Sequence, residues 1–324
     1  ISRMREMQSG VLMDMRAPLG DSIVEDKGGI AYYSGAIPGF ISKGTAEKAT
    51  ERDYKEKLFA QFGDDALVYA YATDVLQSKV DAANQTLSHL GAQLLSTGKI
   101  IYAQGQGIQG NVLKADVPAK NFLKAGAKVW TDTSAKLLDQ IVKMVEDIKD
   151  ETGVDMQYQL EVPKAIFQNC FLKNEQVIEW VRYVNVINNQ PLPERLVLSR
   201  DMALNALASF EGLPTIVIVE EKQKDTLNGI VHGWKDGVAV LRPVGYAGYI
   251  RHSTVADTEL FAKYGNSVNT YSFTPALNGL ATVRNSVIVN GNFKEWHTDI
   301  VMSAVPSLDE FLYHYIIDTT EADS

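Results

Sequence analysis

Six apolar residues, Leu76, Val80, Ala83, Leu87, Leu90 and Leu94, recur at spacings of 4, 3, 4, 3 and 4. That rhythm puts them on one face of a helix and scatters them on a strand. Asp64 or Asp65 stands where a carboxylate caps the positive end of the helix dipole, and Gly98 follows Thr97 as a stop. The spacing predicts one helix over 64–97. At ~1.5 Å per residue it spans roughly 50 Å, several times the ~11-residue mean. The stripe lasts about three heptads without a matched second helix nearby, which favours a helix laid across a layer over a coiled coil.

Around this helix the chain reads as helices in the middle and strands at both ends. Lys99 to Ala103 is a strand leading into a glycine-rich turn. Residues 133–150 carry Leu137, Leu138, Ile141, Val142, Val145 and Ile148 on one side, with Thr133 or Ser134 as cap and Gly153 as stop. Met156 to Val162 alternates as a strand, and Pro163 opens a helix through Phe171 in the first-turn position that proline tolerates. Further helices are expected from Glu175 to Val184 and from Pro193 to Phe210, stopping at Gly212. Pro214 to Glu220 reads as a buried strand. Asp236-Gly237 and Asn290-Gly291 are hairpin signals, and Glu310 to Ile317 is apolar and β-prone. The sum is a mixed α+β architecture without a solenoid repeat. Residues 1–60 are different: rich in Gly, Met, Ser and charge, they hold too little apolar surface to fold alone and need a neighbour to lie on.

Charge and motifs exclude more than they assign. With 31 Lys and Arg against 40 Asp and Glu, the net charge of −9 argues against a nucleic-acid reader. An acidic wall does suit a container that must not stick to nucleic acid. No run reaches the ~18 apolar residues of a membrane span, and no N-terminal stretch reads as a signal peptide. The single cysteine, Cys170, has apolar neighbours and is expected to be a buried structural thiol. Gly105-Gln106-Gly107-Ile108-Gln109-Gly110 matches a dinucleotide fingerprint, but Pro118 soon follows and disfavours the helix which that chemistry needs, so a plain glycine turn is expected. The five histidines are scattered, and no nucleophile elbow or phosphate-binding loop is present. No catalytic residue, cofactor or metal is therefore expected. One patch stands out: Arg242, Tyr246, Tyr249 and Arg251, beside His252. Arg and aromatic residues are enriched at protein interfaces. An ordinary loop and an intersubunit contact both remain open for it.

Read in order, these pieces resemble the major capsid proteins of tailed bacteriophages of the lambda type. The long helix ending in Leu94-Leu95-Ser96-Thr97-Gly98-Lys99-Ile100 is similar to that family's spine helix. The segment 158–167 resembles its strand leading into a short helix. Pro214 to Val219, followed by Gly237 to Ile250, resembles its central domain. The tail, Ile300-Val301-Met302-Ser303-Ala304-Val305-Pro306-Ser307-Leu308-Asp309-Glu310-Phe311, resembles the closing S-A-P … D-P-D-x-F segment. Val305 is inserted before the proline here, and Ser307-Leu308-Asp309 replaces Asp-Pro-Asp. The resemblance covers about residues 28–318.

It implies a Hong Kong 97-type α+β fold in four parts. These are an N-terminal arm (1–28), an extended loop reaching over a neighbour (29–60), a peripheral domain with the spine helix (61–130 and 284–324), and a central axial domain (131–283). It implies a shell subunit and not an enzyme. Copies would form hexamers and pentamers of an icosahedral head, enclosing double-stranded DNA without sequence-specific binding. Scaffolding, portal and decoration proteins would be the partners, no membrane would be involved, and the shell would be assembled in the bacterial cytoplasm and end in the virion. Deleting 29–60 is expected to leave a foldable chain that cannot close shells. The rival readings are an encapsulin-like nanocompartment, another phage structural subunit, and a nucleotide-binding enzyme using Gly105 to Gly110.

Overall fold

A computed structural model of the chain describes residues 2–6, 30–34, 40–41, 45–48, 57, 65–101, 112–187, 198–220, 223–225, 229–252, 270–276, 281–290, 293–302 and 304–323. The Gly105–Gly110 turn, the Asp64 cap, Pro193 and most of 1–60 lie outside them.

The apolar stripe forms one helix, α1 (Asp65–Thr97, 33 residues). Gly98 ends it at φ +67, and its N–H donates to the Leu94 carbonyl at 2.8 Å. The stripe is buried from Ala83 to Leu94, and each leucine so buried contributes roughly 1.5–3 kcal/mol.

Ahead of α1, β1 (Ser2–Glu6) pairs with β2 (Ile30–Ser34). Strands β3 (Phe40–Ile41) and β4 (Thr45–Lys48) follow. After α1, β5 (Lys99–Ile101) pairs with β6 (Val112–Lys114), and β7 spans Phe122–Lys124. The middle of the chain holds α2 (Leu137–Thr152), β8 (Tyr158–Pro163), α3 (Lys164–Ile166), α4 (Glu175–Ile187) and α5 (Arg200–Leu207). The strand-rich remainder runs β9 (Thr215–Val219), β10 (Gln223–Asp225), β11 (Gly229–Val231), β12 (Val238–Pro243) and β13 (Gly248–His252). It closes with β14 (Thr270–Ala276), β15 (Ala281–Asn290), β16 (Phe293–Met302), β17 (Ala304–Leu308) and β18 (Tyr315–Asp318).

Two five-stranded sheets organise these strands. One has the order β7-β18-β12-β8-β9; the other is β14-β15-β16-β3, with β4 also on β16. The first sheet is covered on both faces, as its alternation dictates. Ala239 and Leu241 of β12, with Leu160, Tyr315 and Ile317, face the core formed with α2, α4 and α5. Val238, Val240 and Ile316 point the other way, against Ala92 of α1 and Trp234. Further along, Leu90 and Leu94 pack on Val305, Leu308 and Phe311, and Ala83 and Leu87 pack on Ala281, Val283, Ile300 and Met302 of the second sheet. The helix thus ties both sheets and the closing segment together. The first sheet takes β7 and β18 from the segments expected to be peripheral, and β8, β9 and β12 from the one expected to be axial.

Several local expectations need correction. Thr133 and Ser134 do not cap α2. Asp132 instead draws the Ser134 N–H (2.9 Å) and hydroxyl (2.8 Å) into a turn of their own. The helix starts at Leu137, and the free N–H of Leu138 donates to the Gln176 side chain at 2.8 Å, a cap supplied from α4. Gly153 is the left-handed stop that was expected, at φ 63. Pro163 closes β8 and immediately precedes a helix that passes from α3 into a π turn at Phe167–Phe171. The last predicted helix, Pro193 to Phe210, shortens to Arg200–Leu207, capped by Ser199, whose hydroxyl accepts from the Met202 N–H at 3.2 Å. β9 is not buried on both faces: it is a sheet edge, with Val217 exposed and Ile216 and Ile218 on the core. Asp236-Gly237 makes a turn but no hairpin, because β12 pairs with β8 and β18 while β11 pairs with β10. The Asn290-Gly291 signal does join a hairpin, with β15 and β16 in register from Asn290↔Phe293 to Ala281↔Met302.

Candidate subunit-contact surface

The patch Arg242–His252 lies where the first sheet hands the chain to the closing segment. Arg242, one residue before the end of β12, lies on the face opposite Leu241, the side that α1 covers. A guanidinium there needs a partner, and Glu161 on β8, opposite Val240 and diagonal to Arg242, supplies it. Arg242 Nη2 lies 2.6 Å from Glu161 Oε1, with the two side chains 12% and 7% exposed, and Nε donates to the same oxygen at 2.9 Å. The Gln159 amide adds a donor to that oxygen at 2.8 Å. The other arm of the guanidinium, Nη1, donates to the carbonyls of Gly245 (2.7 Å) and Pro243 (3.2 Å). Arg242 therefore clamps the turn 243–247 to the sheet.

The turn needs two glycines for different reasons. Gly245 sits at φ +121, a region closed to most side chains. Gly248 begins β13 so close to β17 that a Cβ there would overlap the Ser307 carbonyl oxygen and lie 2.8 Å from its carbon. Between them, the Ala247 carbonyl accepts from the Asp309 N–H at 2.9 Å and the Glu310 N–H at 3.3 Å. β13 then runs antiparallel to β17 from Gly248↔Leu308 to His252↔Ala304. Arg251 lies 5.5 Å from the Tyr249 ring centroid and pairs with Asp309 at 3.2 Å, while its Nε donates to the Ser307 hydroxyl at 3.2 Å.

What projects from this scaffold is apolar and aromatic. Tyr246 is 89% exposed and Tyr249 63%, with Val244 and Ile250 also exposed. The structure thus divides the four expected residues: the tyrosines face outward, while both arginines are engaged by carboxylates of their own chain. Sequence reading missed Val244, Ile250 and the supports Glu161 and Gly248. Glu161 did carry a signal, since it is the charged residue on the alternating strand Tyr158-Gln159-Leu160-Glu161-Val162. A second apolar patch lies on the outer face of α4, where Tyr183, Val186 and Ile187 are exposed.

Cys170 is buried, and burial pushes its thiol up to about 11, so it stays protonated at neutral pH. Among the described residues no cluster of three His, Cys, Asp or Glu could hold a metal, and no helix is long and apolar enough to cross a membrane.

No protein-family model matches the chain, and no curated protein does. Solved structures do. The candidate capsid protein of an Escherichia coli CFT073 prophage aligns over 90% of this chain and 79% of its own, at 13% identity and a TM-score of 0.54. The capsid of cyanophage A-1(L) covers 99% and 88% at 12% identity and a TM-score of 0.49. The SrpI encapsulin of Synechococcus elongatus PCC 7942 covers 91% and 80% at 7% identity and a TM-score of 0.40. The prophage structure carries the conclusion: this chain has a phage-capsid α+β fold, as the sequence resemblance implied.

Proposed function

We propose that the chain is the major shell subunit of a tailed-phage head. Copies assemble into hexamers and pentamers of an icosahedral shell around double-stranded DNA, with a structural and not an enzymatic role. The observation that carries this reading is the shared fold with the prophage capsid protein over 90% of the chain. The net charge of −9 supports it, since an acidic wall repels packaged nucleic acid.

In this reading residues 1–28 are the arm, 29–60 the extended loop, 61–130 and 284–324 the peripheral domain, and 131–283 the axial domain. Tyr246 and Tyr249 touch a neighbouring subunit, and Arg242 and Arg251 hold them in place. Contacts of this kind repeat around each ring, so each can be individually modest. Scaffolding, portal and decoration proteins are the further partners. Assembly takes place in the bacterial cytoplasm, and the virion capsid is the destination.

The test is a Tyr246→Ser, Tyr249→Ser double variant, expressed with any scaffolding partner and sedimented beside the wild type. Both side chains project into solvent, so folding should be unaffected while shell yield falls at least tenfold. Unchanged shell yield would remove these residues from the contact.

A further inference from the structure

The last carbonyls of a helix have no partner within it. In α1 the Gly98 N–H takes that of Leu94. The next carbonyl, Leu95, is met by His314 Nε2 at 2.7 Å. His314 is fully buried just ahead of β18, and its own carbonyl accepts from the Asn121 amide at 3.1 Å. One imidazole therefore joins the end of the spine helix to the start of the closing strand.

The contact fixes the ring's state. To meet a carbonyl, Nε2 must carry the hydrogen, so in the neutral ring Nδ1 holds a bare lone pair. That atom is buried without a hydrogen-bond partner. A second proton would go to Nδ1 and create a buried cation whose new N–H has no acceptor, an expensive arrangement. The charged surroundings do not help. Arg242 on β12 acts on the ring as a like charge, and Glu161 on β8 is already bound to that arginine. The last turn of α1 brings no basic residue, and the 3-10 turn Ala119–Asn121 contributes the neutral Asn121 amide.

We propose that His314 is an acid-released latch: neutral, it ties the end of the spine helix to the closing strand; protonated, it lets go. This does not rest on the shell reading. Burial, the largest cause, and the Arg242 charge lower the His314 pKa to about 4, against the Leu95 contact, which raises it. An opened latch regains the ordinary value of roughly 6.5. Because the open state takes its proton first, the closed latch is favoured above about 6.5 and loses that preference as pH falls towards 4. At pH 5 the shift makes opening about 20-fold more favourable than at pH 7.

Hydrogen exchange read by mass spectrometry on the full chain at pH 7 and pH 5, corrected for intrinsic rates, tests this. Protection in 90–98 and 314–318 should fall by about 20-fold relative to α2. In His314→Gln, which keeps an amide donor but takes no proton, the pH-dependent fall should vanish. An equal fall in both proteins, or none in the wild type, would overturn the proposal. Should the variant not fold, a ¹³C titration of wild-type histidines decides: one ring stays neutral at pH 5 if the latch exists, and all five titrating near 6.5 would overturn it.

Discussion

Replacing Arg242 by methionine removes one partner of a pair that is almost out of water, at 12% and 7% side-chain exposure. Glu161 would keep its charge with only the Gln159 amide to meet it. Breaking a buried pair from one side costs about 3–5 kcal/mol, while replacing both charges by apolar groups is often near neutral. The double variant Glu161→Leu, Arg242→Met should therefore recover most of the loss. A residual of about 1–2 kcal/mol should remain, because the carbonyls of Gly245 and Pro243 also lose their donor. Arg242→Lys should fall between, since an ammonium keeps the charge but cannot fork to both sides. Urea unfolding of the dilute chain at pH 7, followed by tryptophan fluorescence, measures all three. A single-variant loss below ~1 kcal/mol, as for an exposed ion pair, or a double variant no better than the single, would refute the reasoning.

Three further outcomes follow from packing. Gly248→Ala drives a Cβ into the Ser307 backbone; a loss of about 1–3 kcal/mol is expected, and an unchanged melting temperature would contradict the β13–β17 register. Leu94→Ala empties a site that is 3% exposed under the closing segment, at a cost of about 2–5 kcal/mol by denaturant unfolding; a cost near that of a surface change would mean the helix end is not packed there. Deleting 29–60 removes β3 and β4 from their own chain's β16. The deletion should therefore expose a sheet edge and promote aggregation as well as block shell closure; a monodisperse deletion variant would contradict that pairing.

The long helix was legible because its signal is local and periodic: the stripe from Leu76 to Leu94 needs no knowledge of what covers it. So were Gly98 and Gly153, where a left-handed residue ends a helix. What failed was whatever depends on distant partners. The cap of α2 comes from Gln176, 38 residues away from Leu138, so the nearby Thr133 and Ser134 misled. Thr215-Ile216-Val217-Ile218-Val219 is β-branched throughout and reads as a buried strand, yet it lies at a sheet edge. Asp236-Gly237 turns the chain, but no turn dipeptide says which strand will pair next. At the candidate contact, composition picked out the Arg and Tyr residues but not their division of labour. The arginines turn inward because Glu161 and Asp309 are brought to them by strand register, which the sequence does not display.

The most direct measurement is electron microscopy of the full chain after co-expression with any scaffolding partner, read beside its sedimentation profile. We expect closed polyhedral shells built of hexamers and pentamers, with nucleic acid as the content of the native particles. A protein cargo would point to a nanocompartment instead. Monomers or dimers alone, with and without partners, would contradict a shell role and leave the shared fold without the function proposed for it.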